Sequence, residues 1–320
     1  MRKGIVILLI IAASLIVIGG AAFTVGFVMM DDGSFAYLNN NYQEKIYESS
    51  DKINSITIKT DTADVEILPY DSEGYKVECF DKKNLSHAVS VEEGSLCIEK
   101  VDSRAWYEYI SLFSQPTKIT VYIPAGEYSS LSLTASTGSS TISKDFIFDK
   151  ATVTASTGNV TFYATTKSTL NVSVSTGDIK LESSSHGDIC LKASTGDTAL
   201  RNLTCKNVKT EESTGKTTIN GLICNDFTST GNTGDLSMTS VISSGTVTIN
   251  RSSGHVKFDK CDAAELKITT DTGDVTGTLL SSKVFIYNTD TGDVSLPETI
   301  TGGICKITTD TGDIKISIVE

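Results

Sequence analysis

Residues 170–181, with the sequence LNVSVSTGDIKL, are followed nineteen positions later by the similar ICLKASTGDTAL in residues 189–200. Both stretches contain Ser-Thr-Gly-Asp, and variants of this phrase recur through the second half of the chain. The ten glycines of these phrases lie 19 or 20 residues apart over nine successive intervals. These turn glycines are Gly138, Gly158, Gly177, Gly196, Gly215, Gly234, Gly254, Gly273, Gly292 and Gly312. So constant a period indicates a repeat protein in which each repeat is one structural unit.

Apolar and polar residues alternate on both sides of each turn glycine. In the repeat of Gly177, Leu170 and Val172 precede the glycine by seven and five residues, and Leu181 follows it by four. The same three positions are mostly apolar in the other repeats, and Thr, Ser, Lys and Asn mostly fill the places between them. Alternation with a period of two predicts strands that bury one face. Each repeat is therefore predicted to be a strand, a sharp turn, a second strand and a looser return segment.

A single repeat cannot bury its apolar face alone, so the repeats are expected to stack. Parallel pairing of equivalent strands about 4.8 Å apart would close a continuous core and give ten rungs a length of roughly 48 Å. The sequence thus predicts an all-β fold, a single-chain parallel β-solenoid (β-helix) with rungs of 19–20 residues. A barrel or a sandwich is the alternative, but neither explains the constant period. The glycine of each rung is expected to have φ > 0 at a corner.

Upstream of the repeats, the chain holds one degenerate copy and an irregular stretch. Asp61-Thr62-Ala63-Asp64 resembles the repeated phrase, with Ala63 in the place of the glycine. Four segments with the composition of strands follow, and the single tryptophan, Trp106, lies among them. Because a solenoid needs atypical terminal units to cover the end of its core, residues 53–130 are predicted to form a cap and residues 131–320 the repeats.

The N-terminal segment has the pattern of a membrane anchor. Arg2 and Lys3 precede an uncharged run from Gly4 to Met30, and Asp31 follows it. Twenty-seven residues in a helix span about 40 Å, more than the hydrocarbon core requires. The basic residues place the N-terminus in the cytoplasm and the rest of the chain outside. Residues 1–30 are therefore predicted to be a cytoplasmic tip and a transmembrane helix, and residues 31–52 a polar spacer. A signal peptide cleaved after the small residues Gly20-Ala21-Ala22 is the alternative.

Composition excludes several classes of function. The formal net charge of −12 makes nucleic acid an unsuitable partner.

Seven cysteines occur without a C-x-x-C pair and without a nearby histidine, so the spacing of zinc ligands is absent. Most of the cysteines are interpreted as small buried side chains. Cys205 and Cys224 each follow a turn glycine by nine residues, which predicts that they are neighbours on adjacent rungs.

Several motifs together resemble the bacterial putative-adhesin family of β-strand-repeat proteins, a domain of unknown function. They are the N-terminal membrane segment, the degenerate DTADVEI of residues 61–67, the stretch ITVYIPAG of residues 119–126, and the succeeding Ser-Thr-Gly-Asp rungs. The resemblance covers about residues 50–320. It implies a single-chain β-solenoid at the cell envelope and supplies no catalytic or cofactor-binding residue.

Three motifs invite an enzymatic or processing role and are better explained by structure. Asp-Thr-Gly occurs at residues 271–273, 290–292 and 310–312, but Ser takes the place of Asp in most other rungs, which indicates a turn position rather than a protease site. Leu296-Pro297-Glu298-Thr299 resembles a sorting signal, yet Ile300 stands where that signal has glycine. Stacked carboxylates such as Asp178 with Asp197, or Asp274 with Asp293, could serve a polysaccharide-cleaving enzyme, although aspartate after glycine also suits a solvated turn.

The last three turns concentrate acidic residues at one corner. Stacked carboxylates about 5 Å apart repel one another, so they are expected either to extend into water or to bind a weak Ca²⁺ ion. Apart from this Ca²⁺, no cofactor is expected. The candidate Ca²⁺ ligands are Asp271, Asp274, Asp290, Asp293, Asp310 and Asp313.

Taken together, these patterns predict a non-enzymatic, extracytoplasmic β-solenoid that acts as an adhesin-like interaction or scaffold module. Its expected location is the cell membrane, in a single pass through the N-terminal helix. The expected partner is an envelope protein or a polysaccharide. A membrane protein that regulates the response to envelope stress is one alternative, and a carbohydrate-active β-helix enzyme is another.

Overall fold

A computed structural model describes Ala12, Ser14–Ile16, Gly19 and residues 42–103 and 117–319. The chain divides into two compact units, Met1–Gln43 and Glu44–Glu320. The few described residues of the first unit before residue 42 are helical. Within the described ranges, no helix has both the length and the hydropathy of a membrane span. The predicted anchor, Gly4 to Met30, lies almost entirely outside these ranges, and so does Trp106.

The second unit is built from β-strands that follow the predicted repeats. Their bounds, in chain order, are β1 Tyr42–Ser49, β2 Ser55–Thr60, β3 Ala63–Tyr70, β4 Tyr75–Lys82, β5 Leu85–Glu92, β6 Ser95–Asp102, β7 Thr117–Pro124, β8 Gly126–Thr137, β9 Ser140–Ile142, β10 Phe146–Thr157, β11 Val160–Phe162, β12 Thr165–Thr176, β13 Ile179–Glu182, β14 Ser185–Thr195, β15 Thr198–Thr214, β16 Thr217–Cys224, β17 Asp226–Thr233, β18 Leu236–Ser253, β19 Val256–Thr272, β20 Val275–Leu279, β21 Lys283–Thr291, β22 Val294–Ser295, β23 Gly303–Thr311 and β24 Ile314–Ile318.

Equivalent strands pair in parallel and in the register of the sequence repeat. Leu170 on β12 pairs with Ala151 on β10 and with Ile189 on β14, which are its equivalents in the two adjoining rungs. Side chains at this position are fully buried or nearly so in every rung except that of Gly292, where Phe285 is partly buried, because the alternating pattern turns every second residue into the solenoid. The predicted parallel β-solenoid with about ten turns is confirmed.

Each rung turns a first corner at its glycine, as predicted. The φ angles of the ten turn glycines are positive, from 121° at Gly138 to 157° at Gly312. In five rungs a second corner, which was not predicted from the sequence, lies six residues after the glycine. There φ is again positive, between 52° and 75°, at Ser183, Asn202, Gly221, Ser240 and Lys260. Because residues with a side chain occupy most of these positions, the second corner leaves no glycine period in the sequence.

The N-terminal end of the stack combines parallel and antiparallel strands. The degenerate copy around Ala63 forms a true rung, since β2 and β3 pair in parallel with β8 and β9 on one side and with β6 and β7 on the other. Beyond that rung, β4 runs antiparallel to β7, and β5 antiparallel to β6. β1, within the predicted spacer, pairs with β4. Residues 42–49 of the spacer are therefore a strand, because alternate residues of this segment are partly shielded from solvent.

The rungs at the C-terminal end are not stacked in sequence order. β23, from the last repeat, pairs with β19 on one side and with β21 on the other. β24 likewise lies between β20 and β22. The rung of Gly312 is thus inserted between the rungs of Gly273 and Gly292. The sequential stacking expected from the repeat order is wrong at this place, because rungs with nearly the same side-chain pattern can exchange positions without changing the alternation that buries the core.

A buried ion pair interrupts the apolar interior in the middle of the stack. Glu212 and Arg251 stand three residues before their turn glycines, two rungs apart, with Gly231 between them in the same column. Their side chains are at most 1% exposed, and Arg251 Nη1 lies 3.0 Å from Glu212 Oε2. A side chain on Gly231 would collide with the guanidinium, so the missing Cβ makes room for the pair. Arg251 Nη2 also donates to Ser229 Oγ at 2.7 Å, which offsets part of the cost of burying the charge.

Candidate binding surface

The long strand of each rung presents a flat, polar outer face. We define this outer face as the residues two, four and six places before each turn glycine. In the rung of Gly158 they are Thr152, Thr154 and Ser156, all exposed, while the residues between them are buried. In-register stacking repeats these positions about every 4.8 Å along the solenoid, and alternate residues lie about 7 Å apart along the strand. The outer face is therefore a regular grid of side chains.

Three adjacent rungs of this grid carry no charge, and we call them the hydroxyl block. Every member is Ser, Thr or Asn. Eight of the nine side chains are exposed and Ser173 is partly exposed, so their hydrogen-bonding groups are open to solvent. The block consists of Ser132, Thr134, Ser136, Thr152, Thr154, Ser156, Asn171, Ser173 and Ser175.

A charged band borders the hydroxyl block on the next two rungs. Glu211 accepts from Lys192 at 3.0 Å and from Lys209 at 2.5 Å. Hydrogen bonds from these two ammonium groups lower the pKa of the Glu211 carboxyl. A shallow cleft of about 300 Å³ opens beside the band, lined in part by Ser213 and Gly231. Clefts of this size lie at the lower limit for enclosing a small molecule, so the face suits an extended ligand.

The residue after most turn glycines accepts a hydrogen bond from the backbone of the next rung, which explains why aspartate is frequent at this position. Asp178 Oδ1 accepts the backbone N–H of Asp197 at 2.8 Å, and Asp197 Oδ1 accepts that of Lys216 at 2.8 Å. At the C-terminal end, Asp274 Oδ1 accepts from Asp313, and Asp313 Oδ1 accepts from Asp293. These carboxylates hold one turn against the next, a role that the sequence did not reveal.

The six predicted Ca²⁺ ligands lie on this corner in two columns. Asp271, Asp310 and Asp290 are exposed in one column, and Asp274, Asp313 and Asp293 form the other. Asp313 lies between Asp274 and Asp293, so these two carboxylates, one of the two pairs that could serve a polysaccharide-cleaving enzyme, are not neighbours. The other pair, Asp178 and Asp197, stands on adjoining rungs. No group of three or more His, Cys, Asp or Glu side chains is arranged for a metal ion in the described ranges. A weak Ca²⁺ site at this corner stays a prediction.

Two buried histidines form polar clusters that the sequence did not predict. His87 Nδ1 lies 2.7 Å from Asp81 Oδ1, and its Nε2 lies 2.9 Å from Thr60 Oγ1. A carboxylate, an imidazole and a hydroxyl in this order resemble a catalytic triad. All three residues are less than 9% exposed, so a substrate has no access to the Thr60 hydroxyl. The cluster therefore satisfies buried polar groups at the end of the stack, and no sequence signal marks it because three separate strands supply its members.

The second buried histidine lies inside the repeats. Thr166 Oγ1 is 2.8 Å from His186 Nδ1, and Ser184 Oγ is 2.7 Å from Nε2. Burial lowers the pKa of His186 to about 4, so the ring is neutral at pH 7. Cys205 pairs with His186 in the next rung.

Cys205 and Cys224 occupy equivalent places on adjoining rungs, as predicted. Thr204 pairs with Ile223, which brings the two following cysteines next to each other. Burial, with smaller effects of Cys224 and Asp188, raises the pKa of the Cys205 thiol to about 12. All seven cysteines are free thiols, and five of them are buried.

Solved structures share this architecture at low sequence identity. A protein from Parabacteroides distasonis described as a putative adhesin is 14% identical, with a TM-score of 0.50 over 76% of this chain and 98% of its own. A protein from the same species described as a putative lipid binding protein is 16% identical, with a TM-score of 0.50 over 87% of this chain and 98% of its own. At these identities the likeness shows the fold alone. No curated protein matches the chain.

A family model matches the chain twice, over residues 53–220 and 207–320. The two matches overlap at residues 207–220 and together include the degenerate rung of Ala63 as well as the ten glycine rungs. The resemblance inferred from the repeat motifs is thereby confirmed. Both the sequence match and the stacked rungs show that the chain belongs to the Toastrack DUF4097 family.

Proposed function

We propose that this chain is a non-enzymatic, adhesin-like interaction module at the cell envelope, and that its outer face binds a neutral polysaccharide. The N-terminal run from Gly4 to Met30 would anchor it in the membrane, with the solenoid outside the cell. The observation that carries the proposal is the hydroxyl block, a surface of nine uncharged side chains whose hydrogen-bonding groups are open to solvent.

The chemistry of the hydroxyl block favours a neutral polar ligand. Hydroxyl and amide side chains both donate and accept hydrogen bonds, as the hydroxyl groups of a sugar do. The block lacks the charges that would select an ionic partner, and it lacks the aromatic side chains that are enriched at protein interfaces. A polysaccharide without charged substituents fits this surface better than a folded protein does.

The geometry of the grid favours a polymer over a small molecule. Equivalent hydroxyls recur at each rung, so a chain of similar sugar units that runs along the solenoid makes the same contact several times. Each contact is weak, and repetition along one ligand adds them together. The nearby clefts, of about 300 Å³ or less, are shallow, so extension along the grid offers more contact than insertion does.

Binding of neutral polysaccharides to the full-length chain in lipid nanodiscs tests this function. The informative variant is Thr134→Ala with Thr154→Ala, which removes two neighbouring hydroxyls from the block. The matched control is Thr141→Ala with Thr161→Ala, which makes the same change on β9 and β11 of the same two rungs. We expect the first pair to weaken binding about tenfold, at roughly 0.5–1 kcal/mol for each hydrogen bond, and the control pair to bind like the wild type.

The same binding series can contradict the proposal. Wild-type protein that binds no member of a panel of neutral polysaccharides would remove the proposed ligand class. Equal losses in the two variant pairs would mean that the outer face is not the binding surface.

A further inference from the structure

The rung of β21 and β22 ends the stack with an unpaired strand edge. β21 pairs with β23 on one side, and no described strand pairs with its other side. The residues that other rungs bury are partly open to solvent here, since Tyr287 is 55% exposed and Val294 is 37% exposed. Ile268, the equivalent of Tyr287 on β19, is 2% exposed. The terminal rung therefore has the side-chain pattern of an internal rung in an exposed position.

Exposed apolar side chains concentrate around this edge. They lie on the terminal rung itself, on the turn that enters it and on the neighbouring β23. Edge strands are usually protected from pairing with another chain by charged residues or proline. The exposed middle of β21 has neither, because Ile286, Tyr287 and Asn288 are uncharged and no proline interrupts them. The exposed apolar residues are Leu280, Ile286, Tyr287, Val294, Ile300 and Ile304.

The connection between β22 and β23 reaches only the beginning of β21, where Thr299 Oγ1 donates to the carbonyl oxygen of Lys283 at 2.5 Å. Ile286, Tyr287 and Asn288 stay exposed. The backbone N–H and C=O groups of an open strand edge pair with a further strand, and β21 of a second copy offers the same groups in return.

We propose that the terminal rung is a dimer interface in which β21 pairs antiparallel with β21 of a second copy about a two-fold axis near Tyr287. A parallel partner is unsuitable, because the opposite end of the stack is covered by the antiparallel β4 and β5. Antiparallel pairing is self-complementary, as a two-fold interface requires. It brings the two Tyr287 side chains together and buries the apolar residues of both edges.

Charge spacing also favours this pairing. Asp290 is the one exposed charged residue of β21 and stands three residues from Tyr287. In the antiparallel dimer the two Asp290 side chains are six residues apart, or about 20 Å, which exceeds the screening length at physiological salt. A parallel neighbour would instead add another aspartate to the column of Asp271, Asp310 and Asp290. Although the chain has a net charge of −12, the antiparallel interface therefore does not bring like charges together.

Cysteine cross-linking of the full-length chain in nanodiscs tests the interface. We expect Tyr287→Cys to form a covalent dimer under mild oxidation, at a yield at least tenfold above that of Asp290→Cys. Ile223→Cys is the control for an exposed position on a middle rung, since Ile223 is 59% exposed. The chain without an added cysteine controls for the native thiols, five of which are buried.

The solution mass provides a second measurement. Tyr287→Lys should convert the dimer to a monomer, because two ammonium groups would meet at the axis, whereas Ile223→Lys should leave the dimer intact. A monomeric wild-type chain, or a cross-linking yield for Tyr287→Cys no higher than for Ile223→Cys, would overturn the proposal. Both readouts are independent of ligand binding, so either proposal can fail while the other stands.

Discussion

At the scale of single residues, the turn glycines are required by two constraints at once. Gly215 has φ near 149°, and an added Cβ would overlap the carbonyl oxygen of Gly196 in the rung before it. The first constraint is backbone strain and the second is the close approach of two backbones. A side chain at this corner would therefore force the two adjacent rungs apart.

Gly215→Ala separates these two constraints when it is compared with Gly94→Ala. Gly94 also has a positive φ, of 78°, but its added Cβ would meet the Asn54 side chain at an ordinary 3.7 Å. We expect Gly94→Ala to lower the free energy of unfolding by about 1 kcal/mol, from strain alone. Gly215→Ala should cost about 2–4 kcal/mol, because lost packing is added to strain. Denaturant unfolding measures both values, and equal losses would show that the corner tolerates a Cβ.

Burial of His186 makes the stability of the solenoid depend on pH, and the sequence alone did not predict this. Its pKa is about 4 in the folded chain, lowered by burial, against an ordinary value of 6.5. The unfolded chain therefore binds the proton of this imidazole more tightly than the folded chain does. Above pH 6.5 the ring is neutral in both states, and its protonation costs the fold no stability. Stability is then lost as the pH falls from 6.5 towards 4, by about 3 kcal/mol in all.

Thermal unfolding between pH 7 and pH 4 tests this contribution. His186→Gln should flatten the decline in midpoint relative to the wild type, because the amide does not titrate. His255→Gln is the control, since the side chain of His255 is 60% exposed. A decline in His186→Gln as steep as in the wild type would assign the pH dependence to other groups.

At the scale of strands and rungs, the stacking order of the last three repeats decides which strands pair with each other. The inserted rung of Gly312 makes Thr269 on β19 a direct partner of Thr308 on β23. Asn288 on β21 pairs with Thr308 from the other side. Thr269 and Asn288 belong to consecutive repeats of the sequence, yet they are two rungs apart in the stack.

Paired cysteines distinguish the inserted order from the sequential one. Thr269→Cys with Thr308→Cys should form a disulfide, because partners in adjacent parallel strands lie about 4.8 Å apart, within the range of Cα separations that a disulfide allows. Thr269→Cys with Asn288→Cys should stay reduced at about 9.6 Å. Mass spectrometry after mild oxidation gives the answer, and a disulfide in the second pair without one in the first would restore the sequential order.

At the scale of the whole molecule, the solenoid has a polar outer face along its side and exposed apolar residues at the end formed by β21 and β22. Rungs contact their immediate neighbours, so stability is close to a sum of rung and interface terms. The capped N-terminal end has strands that run antiparallel to the stack, whereas the terminal rung of β21 ends it with an open edge. The hydroxyl block lies on the flank and the dimer interface at the open end, so one chain can use both surfaces together.

The sequence by itself determined the class of fold and the inner face of each rung. Alternation with a period of two fixes which side chains are buried, and a glycine every 19 or 20 residues fixes the first corner, because both depend on local geometry. The period also identified the outer face, whose residues are the polar ones between the buried positions. The hydroxyl block itself became visible only when stacking placed nine such residues side by side.

The tertiary structure alone decided the order of the rungs and the contacts between distant strands. Repeats with the same pattern fit one another equally well, so pattern alone does not select the neighbour of a given rung, and the insertion of β23 beside β19 depends on how the connecting segments run. The Glu212–Arg251 pair around Gly231 and the cluster of Asp81, His87 and Thr60 likewise join residues from separate strands. Such contacts arise from packing in three dimensions, and no periodicity along the chain encodes them.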